Sequence, residues 1–161
     1  MVAPVASFEF VPLAEDDLPF LLAIRNECRH FLHDEGSFTL DECREWFATR
    51  KPAFYVIVHD GERIGYFRTG ALDAAARSLE IGADLHRDYR GRGLAKPAYT
   101  AFFNWLRTSR NLSEVRLEVL SHNVVALGLY RSLGFDEIGR RPGAAMRDGV
   151  AVDSIVMRRS L

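Results

Sequence analysis

The sequence predicts one α/β domain, built on a mixed, mostly antiparallel sheet of six to seven strands flanked by about four helices. The chain has 161 residues, of which 48% are hydrophobic and 27% charged, as expected of a single globular domain with its own core. Strand-like and helix-like segments follow one another in the order β-α-α-β-β-β-α-β-α-β-β. Consecutive strands joined by short turns form antiparallel pairs, whereas one strand–helix–strand unit can supply a parallel pair.

The first quarter of the chain indicates one strand and two helices. Residues 7–13 alternate apolar and polar side chains, which is typical of a half-buried strand. A helix is expected from residue 15 to about residue 34, with acidic residues in its first turn. Thr39 starts a second helix, and Glu42 three residues later predicts a capping box.

A hairpin and a further strand follow these helices. Residues 53–59 include Phe-Tyr-Val-Ile-Val, which indicates a buried strand. The dipeptide Asp60-Gly61 is a strong signal for a two-residue turn, so residues 63–69 are expected to return antiparallel to the first strand. Residues 78–85 form the next predicted strand.

The second half contains the most regular helix of the chain, at residues 94–110, where apolar side chains recur at helical spacing. Gly134 is expected to close a later helix as its C′ residue. The remaining predicted elements are a strand at 115–120, the helix at 124–133, and two strands at 135–139 and 154–159, joined by a loop with Pro142, Gly143 and Gly149.

Composition and charge exclude several classes of protein. The formal net charge is −1, so the chain as a whole is not drawn to nucleic acid. No apolar run approaches the length of a membrane span and no basic leader is visible, so a cytoplasmic protein is expected. Cys28 and Cys43 fall in helical segments, which favours free thiols. His30, His33 and Asp34 lack a second ligand cluster, so no metal site is predicted.

A glycine-rich turn, Arg-Gly-Arg-Gly-Leu-Ala at residues 90–95, lies between a strand and the most regular helix. Glycine lets backbone amides approach a ligand closely, and the N-terminus of the following helix favours phosphate. There is no Gly-Lys-Ser/Thr of a P-loop, and Lys96 stands where a dinucleotide fingerprint needs its third glycine. The turn therefore predicts a phosphate or pyrophosphate site, with a ligand-free turn as the alternative.

Two segments together resemble the GNAT superfamily of N-acetyltransferases. Residues 90–95 are similar to its pyrophosphate signature, Arg/Gln-x-x-Gly-x-Gly/Ala, and residues 79–85 resemble its fourth strand. Residues 123–135 are similar to its Asn-x-x-Ala-x-x-Leu-Tyr-x-x-x-Gly-Phe. The close match covers about residues 79–139. The resemblance implies the acyl-CoA N-acyltransferase fold, a single domain over residues 1–161, and direct transfer of an acetyl group from acetyl-CoA to a primary amine.

The resemblance also implies roles for individual residues. Tyr130 would give a proton to the departing thiolate, which suits a phenol that is neutral at pH 7. Glu118, or Glu80 one strand earlier, would take the proton of the amine, directly or through water. The residues implied to bind acetyl-CoA are Ala83, Asp84, Leu85, Arg90, Gly91, Arg92, Gly93, Leu94, Ala95, Asn123, Ala126 and Tyr130.

Plainer interpretations of these residues stay open at the level of sequence. Asn123 can be a helix cap, Tyr130 a core aromatic, and Glu80 and Glu118 ordinary strand carboxylates. A coenzyme-binding sensor that does not turn over is the alternative function. The acceptor amine is also open, since Arg25-Asn26 resembles members that acetylate amino sugars on nucleotides, and residues 140–153 resemble the side that receives protein N-termini or small amines. Monomer and homodimer are both compatible with the sequence.

Overall fold

The computed structural model describes residues 7–161. Its strands and helices, in chain order, are β1 (Phe8–Pro12), α1 (Leu18–Cys28), α2 (Leu40–Arg50), β2 (Tyr55–His59), β3 (Glu62–Asp73), β4 (Ser78–Leu85), α3 (Ala95–Ser109), β5 (Glu114–Leu120), α4 (Val124–Ser132), β6 (Asp136–Arg147) and β7 (Val150–Ser160). The seven strands form one sheet in the order β1-β2-β3-β4-β5-β7-β6. All neighbours are antiparallel except β4 and β5, which confirms the predicted mixed, mostly antiparallel sheet with four helices.

The parallel pairing of β4 with β5 is short, and the two strands are not paired with each other beyond it. The two strands pair only from Ser78 with Glu114 to Glu80 with Arg116. Beyond Glu80, β4 stays paired with β3 on its other edge as far as Leu85. The edge of β4 that faces β5 carries no paired strand over residues 81–85 in the described chain. A gap therefore separates β4 from β5 at the ends where both strands run toward helices.

Two hydrophobic cores lie on opposite faces of the sheet. The larger core packs α3 and α4 against one face, where Phe67 stacks on Phe102 with ring centroids 3.9 Å apart. The smaller core packs α1 and α2 against the other face, where Tyr66 is buried. Because successive residues of a strand point to opposite faces, adjacent positions of β3 serve different cores. The gap between β4 and β5 lies between these two helical layers.

Local signals in the sequence account for most element boundaries. The hydroxyl of Thr39 accepts from the amide of Glu42, whose carboxylate accepts from the amide of Thr39, so the predicted capping box is present. Asp60 and Gly61 form the predicted hairpin turn with φ values of 49° and 83°. Gly134 closes α4 with φ 87°. The first helix is shorter than predicted, since α1 ends at Cys28 and a single 3₁₀ turn, Arg29–Phe31, follows it.

The predicted loop between the last two strands is wrong. β6 and β7 continue to Arg147 and Val150, and only Asp148-Gly149 turns between them. Pro142 and Gly143 lie in a register shift of β6, the outermost strand. An edge strand tolerates a proline because the missing N–H can face away from the sheet. The turn-forming residues therefore mark a bulge in a long hairpin.

Two further observations concern residues 7–161 as a whole. No helix among them is both long and apolar enough to cross a membrane. The same residues contain no group of three His, Cys, Asp or Glu side chains arranged to hold a metal ion. Cys28 and Cys43 are free thiols, the first half-buried and the second buried.

Candidate active site

A cavity of about 250 Å³ occupies the gap between β4 and β5. Many of the residues that the sequence predicted for coenzyme binding or catalysis line it, namely Ala83, Asp84, Leu85, Arg90, Ala95, Glu118, Asn123, Ala126 and Tyr130. The remaining turn residues, Gly91, Arg92, Gly93 and Leu94, lie between two residues of this lining. We call this space the slot.

One wall of the slot is the unpaired edge of β4. On its other edge, Asp84 is the register partner of Tyr66 in β3, so the strand is firmly held in the sheet. Its slot-facing edge has main-chain groups available to an extended ligand. An extended, amide-containing chain can bind such an edge as an additional strand.

The glycine turn before α3 forms an open concavity of amides. Gly91 and Gly93 both have left-handed backbone, with φ values of 70° and 71°. A Cβ atom at either position would meet no atom within 4 Å, so the space above the turn is free of protein. The amides of Gly91, Gly93 and Ala95 donate to no acceptor in the described residues, and α3 has no side-chain cap. Uncapped amides at the positive end of a helix dipole favour an anion.

The arginines of the turn have distinct environments. The Nε atom of Arg90 donates to the carbonyl of Leu85 at 2.8 Å, and its Nη2 lies 3.4 Å from a carboxylate oxygen of Glu27. Arg90 therefore ties the turn to the end of α1. Arg92 is exposed, with its guanidinium 5.5 Å from the ring centroid of Tyr89. Arg92 is thus free to reach a ligand above the turn.

Two tyrosines that line the slot approach each other. The hydroxyl oxygens of Tyr130 on α4 and Tyr99 on α3 lie 3.2 Å apart, and both side chains are buried. Burial raises the pKa of both phenols above the ordinary value of 10, so both are protonated at neutral pH. A hydrogen bond from Tyr99 and the charge of Arg68 partly oppose this rise in the pKa of Tyr130.

Sequence reasoning missed Tyr99, because it occupies the buried face of α3, where a tyrosine and a phenylalanine give the same apolar pattern. Asn123 caps α4 as expected, and its Oδ1 accepts from the amide of Ala126 at 3.3 Å. The cap fixes the start of the helix whose seventh residue is Tyr130. The interpretation of Asn123 as a helix cap is therefore confirmed, and its role toward a coenzyme stays a prediction.

Glu118 belongs to a polar network at the boundary of the slot. Its Oε1 lies 2.7 Å from Nη2 of Arg141, and its Oε2 accepts from the hydroxyl of Ser154 at 3.0 Å. The Nε2 atom of His33 lies 2.7 Å from the same Ser154 oxygen and 3.7 Å from Oε2. Both carboxylate oxygens of Glu118 therefore have protein partners. Glu80 is exposed and lines no cavity described here, so it is not part of this network.

The network assigns a tautomer to His33. An ionised carboxylate only accepts hydrogen bonds, so Ser154 donates its single hydroxyl proton to Glu118. The Ser154 oxygen must then accept from Nε2–H of His33, which leaves Nδ1 as the basic nitrogen. Burial lowers the pKa of His33 below its ordinary value of 6.5, helped by three nearby arginines and opposed by Glu118. The imidazole is therefore neutral at pH 7.

Arg147 holds the segment that carries His33. Its buried guanidinium donates to the carbonyls of His30 and Leu32, the first at 3.0 Å, and lies 3.3 Å from a carboxylate oxygen of Glu35. This segment has no regular secondary structure after its short 3₁₀ turn, so the contacts of Arg147 fix its path. Sequence reasoning missed Arg147 because it assigned the residue to a loop.

A second cavity, of about 660 Å³, lies between the helices α1 and α2 and the sheet. We call it the outer cavity. Its wall is largely apolar, with Leu21, Leu22, Phe38, Trp46 and Phe54 among its lining residues. It shares Leu32, His33, Arg68 and Asp84 with the slot. The slot and the outer cavity therefore meet at these four residues, which we call the boundary.

The residues that faintly resembled an acceptor site serve the wall of the outer cavity. Arg25 donates to the carbonyls of Gly36 at 2.6 Å and Asp34 at 3.3 Å, and its guanidinium lies 4.2 Å from the ring centroid of Phe38. Asn26 exchanges two hydrogen bonds with the backbone of Phe38. Both side chains fix the connection between α1 and α2.

Comparison with known proteins gives three kinds of match. The GNAT acetyltransferase domain family matches residues 8–136. A Pseudomonas aeruginosa L-methionine sulfoximine/L-methionine sulfone acetyltransferase is 28% identical over 155 residues, which cover 90% of each chain. The fold matches that of Vibrio cholerae spermidine N-acetyltransferase in complex with CoA and spermine, with TM-score 0.87, 21% identity and 95% of each chain covered. It also matches ribosomal-protein-alanine N-acetyltransferase from Brucella melitensis, with TM-score 0.78, 23% identity, and 95% of this chain and 99% of that one covered.

Proposed function

Because the chain belongs to the GNAT acetyltransferase family, we propose that its slot holds acetyl-CoA and its outer cavity holds the amine that receives the acetyl group. The chain is an N-acetyltransferase that takes its acetyl group from acetyl-CoA. The observation that carries the assignment of the site is the shared boundary, where Leu32, His33, Arg68 and Asp84 line both spaces. We also propose that residues 1–161 act as one domain and that the reaction takes place in the cytoplasm.

The shape of the slot fits the parts of acetyl-CoA. The open amides at Gly91 and Gly93 suit its pyrophosphate, with Arg92 as a further cation. The unpaired edge at residues 83–85 suits the two amides of the pantetheine arm. The thioester then lies near Tyr130, which lines the slot beside Ala126. A main-chain amide of β4 is positioned to stabilise the oxyanion that forms on the thioester carbonyl.

Tyr130 is the proposed acid of the reaction. The amine nitrogen attacks the thioester carbon, a C–N bond forms, the nitrogen loses its extra proton to solvent, and the C–S bond breaks with its electron pair going to sulfur. Tyr130 gives its proton to that thiolate, and Tyr99 donates to the oxygen of Tyr130 as the proton leaves. Burial keeps Tyr130 protonated until this step.

His33 is the proposed base, and Glu118 is proposed to stabilise its protonated form. A primary amine has a pKa of about 10 and is mostly protonated at pH 7, so a base must take its proton before attack. Both oxygens of Glu118 are occupied, whereas Nδ1 of neutral His33 is free to accept. The imidazolium that forms is stabilised by Glu118 through Ser154. Glu118, predicted from sequence as the base, thus acts through His33.

A thiol-release assay with acetyl-CoA tests the function. The amine panel should contain amino acids, spermidine, an aminoglycoside, a peptide with a free N-terminus and an amino-sugar nucleotide. Acetyl-CoA at about 100 times its dissociation constant should raise the free energy of unfolding by about 2.7 kcal/mol. The proposal is wrong if acetyl-CoA does not stabilise the protein. Stabilisation without thiol release from any amine would favour a coenzyme-binding sensor.

A further inference from the structure

Arg68 and Asp84 place opposite charges where the slot and the outer cavity meet. Arg68 lies on β3 and Asp84 on the neighbouring β4, and Nε of Arg68 is 3.4 Å from Oδ2 of Asp84. These two atoms are buried, yet neither has a hydrogen-bond partner in the described residues. The pair is therefore held by charge alone and keeps its capacity to form hydrogen bonds.

Gly82 determines how the guanidinium of Arg68 lies. The two residues are register partners, and a Cβ atom on Gly82 would be 2.6 Å from Nη2 of Arg68. The guanidinium thus lies directly over the backbone of Gly82, in space that any other residue would fill. The side chain of Arg68 is 39% exposed, so it faces the boundary of the two cavities.

The terminal nitrogens of Arg68 are available to a ligand, unlike those of the arginines beside it. In the described chain, Nη1 and Nη2 of Arg68 donate to no protein acceptor. By contrast, Arg25 is bound to two carbonyls and Arg141 to Glu118. A planar guanidinium with two free nitrogens matches a carboxylate, which it can bind through two parallel hydrogen bonds.

We propose that Arg68 binds the carboxylate of an α-amino acid, and that the α-amino group of this acceptor is the one acetylated. This inference rests on the proposed function. The reacting amine must reach the boundary, beside His33 and Asp84, and Arg68 lies at that same boundary. The amine and the anion must therefore be close to each other in the acceptor, as they are when one carbon carries both.

The rest of the acceptor extends into the outer cavity. Its apolar wall suits an uncharged side chain such as that of methionine, leucine or phenylalanine. In the reaction, the ammonium group of the acceptor loses one proton to His33, and the resulting amine attacks the thioester and loses a second proton to solvent as the amide forms. The released thiolate takes the proton of Tyr130, which then regains a proton from solvent. The products are an N-acetyl amino acid, CoA and one proton.

Matched acceptors test the inference. Methionine, leucine and phenylalanine should each be compared with their amides, which differ only at the carboxylate, and with spermidine. We expect kcat/KM for the free acids to exceed that for the amides on the order of 100-fold. The comparison is stringent because the amine of an amino acid amide is less basic than that of the free amino acid and is deprotonated more easily. Amine basicity by itself would therefore favour the amides.

Variants then assign the preference to Arg68. Arg68→Gln should bring the acid-to-amide ratio close to one, mainly through KM for the amino acid, and leave the dissociation constant of acetyl-CoA nearly unchanged. Arg68→Lys keeps the charge but loses the paired geometry, so it should retain part of the ratio. Arg44→Gln is the control, because Arg44 is exposed on α2 and lines neither cavity.

The outcomes separate this inference from the proposed function. Thiol release with equal rates for acids and amides, or a ratio unchanged in Arg68→Gln, overturns the role of Arg68 and leaves the acetyltransferase in place. A clear preference for spermidine does the same. Absence of acetyl-CoA binding and of thiol release with every amine overturns the proposed function itself.

Discussion

The hydroxyl groups of Tyr99 and Tyr130 lie 3.2 Å apart at the point where α3 and α4 approach each other. Their rings meet edge to face, with centroids 5.8 Å apart. Only one hydroxyl faces a departing thiolate in the proposed reaction, and the other can donate to it as it loses its proton. The pair therefore predicts unequal effects for two chemically identical substitutions.

Removal of the Tyr130 hydroxyl should slow turnover far more than removal of the Tyr99 hydroxyl. Tyr130→Phe should lower kcat about 100-fold, the usual contribution of a positioned proton donor, with little change in acetyl-CoA affinity. Tyr99→Phe keeps Tyr130 and loses only its hydrogen-bond partner, so kcat should fall by less than about tenfold. Steady-state kinetics with a saturating amine measure both values. Equal losses in the two variants would contradict the assignment of Tyr130 as the acid.

The pH dependence of kcat should report His33. Burial lowers the pKa of His33 below 6.5, so kcat should fall as the pH drops through that lowered pKa and the imidazole becomes protonated. His33→Gln should reduce kcat at pH 7.5 about 100-fold and remove this acidic limb. His59→Gln, in the β2–β3 hairpin, is the control and should keep the wild-type profile. An acidic limb that persists in His33→Gln would assign it to another group.

The lowered pKa of His33 also affects the stability of the protein. Unfolded His33 binds a proton more readily than folded His33, so its contribution to folding is present above pH 6.5 and is lost as the pH falls toward the lower folded pKa. Urea denaturation should therefore show wild type losing more stability than His33→Gln between pH 7 and pH 5. The reverse order would contradict a lowered pKa.

The residues proposed to bind acetyl-CoA could be grouped from the sequence because the determinants of their positions are local. Gly91 and Gly93 directly precede α3, and Asn123 and Tyr130 lie seven positions apart on one helix. Such spacings fix relative positions through backbone geometry alone. Residues that belong to one motif in the sequence are therefore also close to each other in space.

The proposed acceptor half of the site could not be predicted in this way, since it is assembled by long-range contacts. His33 and Ser154 are 121 residues apart in sequence, and Arg147 binds a carbonyl 117 residues away. No periodicity relates these positions, and each residue by itself is ordinary. The error at Pro142 has a similar origin, because only the place of β6 at the sheet edge makes a proline acceptable there.

Loss of Arg147 should loosen the segment around His33. Arg147→Met leaves the carbonyl of Leu32 without a donor, removes one of the two partners of the His30 carbonyl and breaks the ion pair with Glu35, so the free energy of unfolding should fall by about 3 kcal/mol. Because the segment carries the proposed base, kcat should also fall while the dissociation constant of acetyl-CoA stays close to that of wild type. Chemical denaturation and calorimetric titration measure the two effects.

A surface arginine provides the comparison for Arg147. Arg158 lies on β7 and pairs with Glu114 at 3.2 Å with half of its side chain exposed, so Arg158→Gln should change stability by less than about 1 kcal/mol. Should Arg147→Met prove as stable as Arg158→Gln, or should it lose acetyl-CoA binding in parallel with kcat, Arg147 would not act by positioning His33.

Two glycines with the same backbone conformation can separate strain from coenzyme binding. Gly93 in the turn before α3 has φ 71° and Gly149 in the β6–β7 turn has φ 77°, and a Cβ at either meets no atom within 4 Å. Alanine at each position should therefore lower stability by a similar amount, about 1 kcal/mol, because left-handed backbone disfavours a side chain.

In Gly93→Ala, however, the methyl group would enter the space proposed for the pyrophosphate. Calorimetric titration should show a dissociation constant for acetyl-CoA raised at least about tenfold in Gly93→Ala and unchanged in Gly149→Ala. Equal affinities in the two variants would mean that the diphosphate binds elsewhere on the protein.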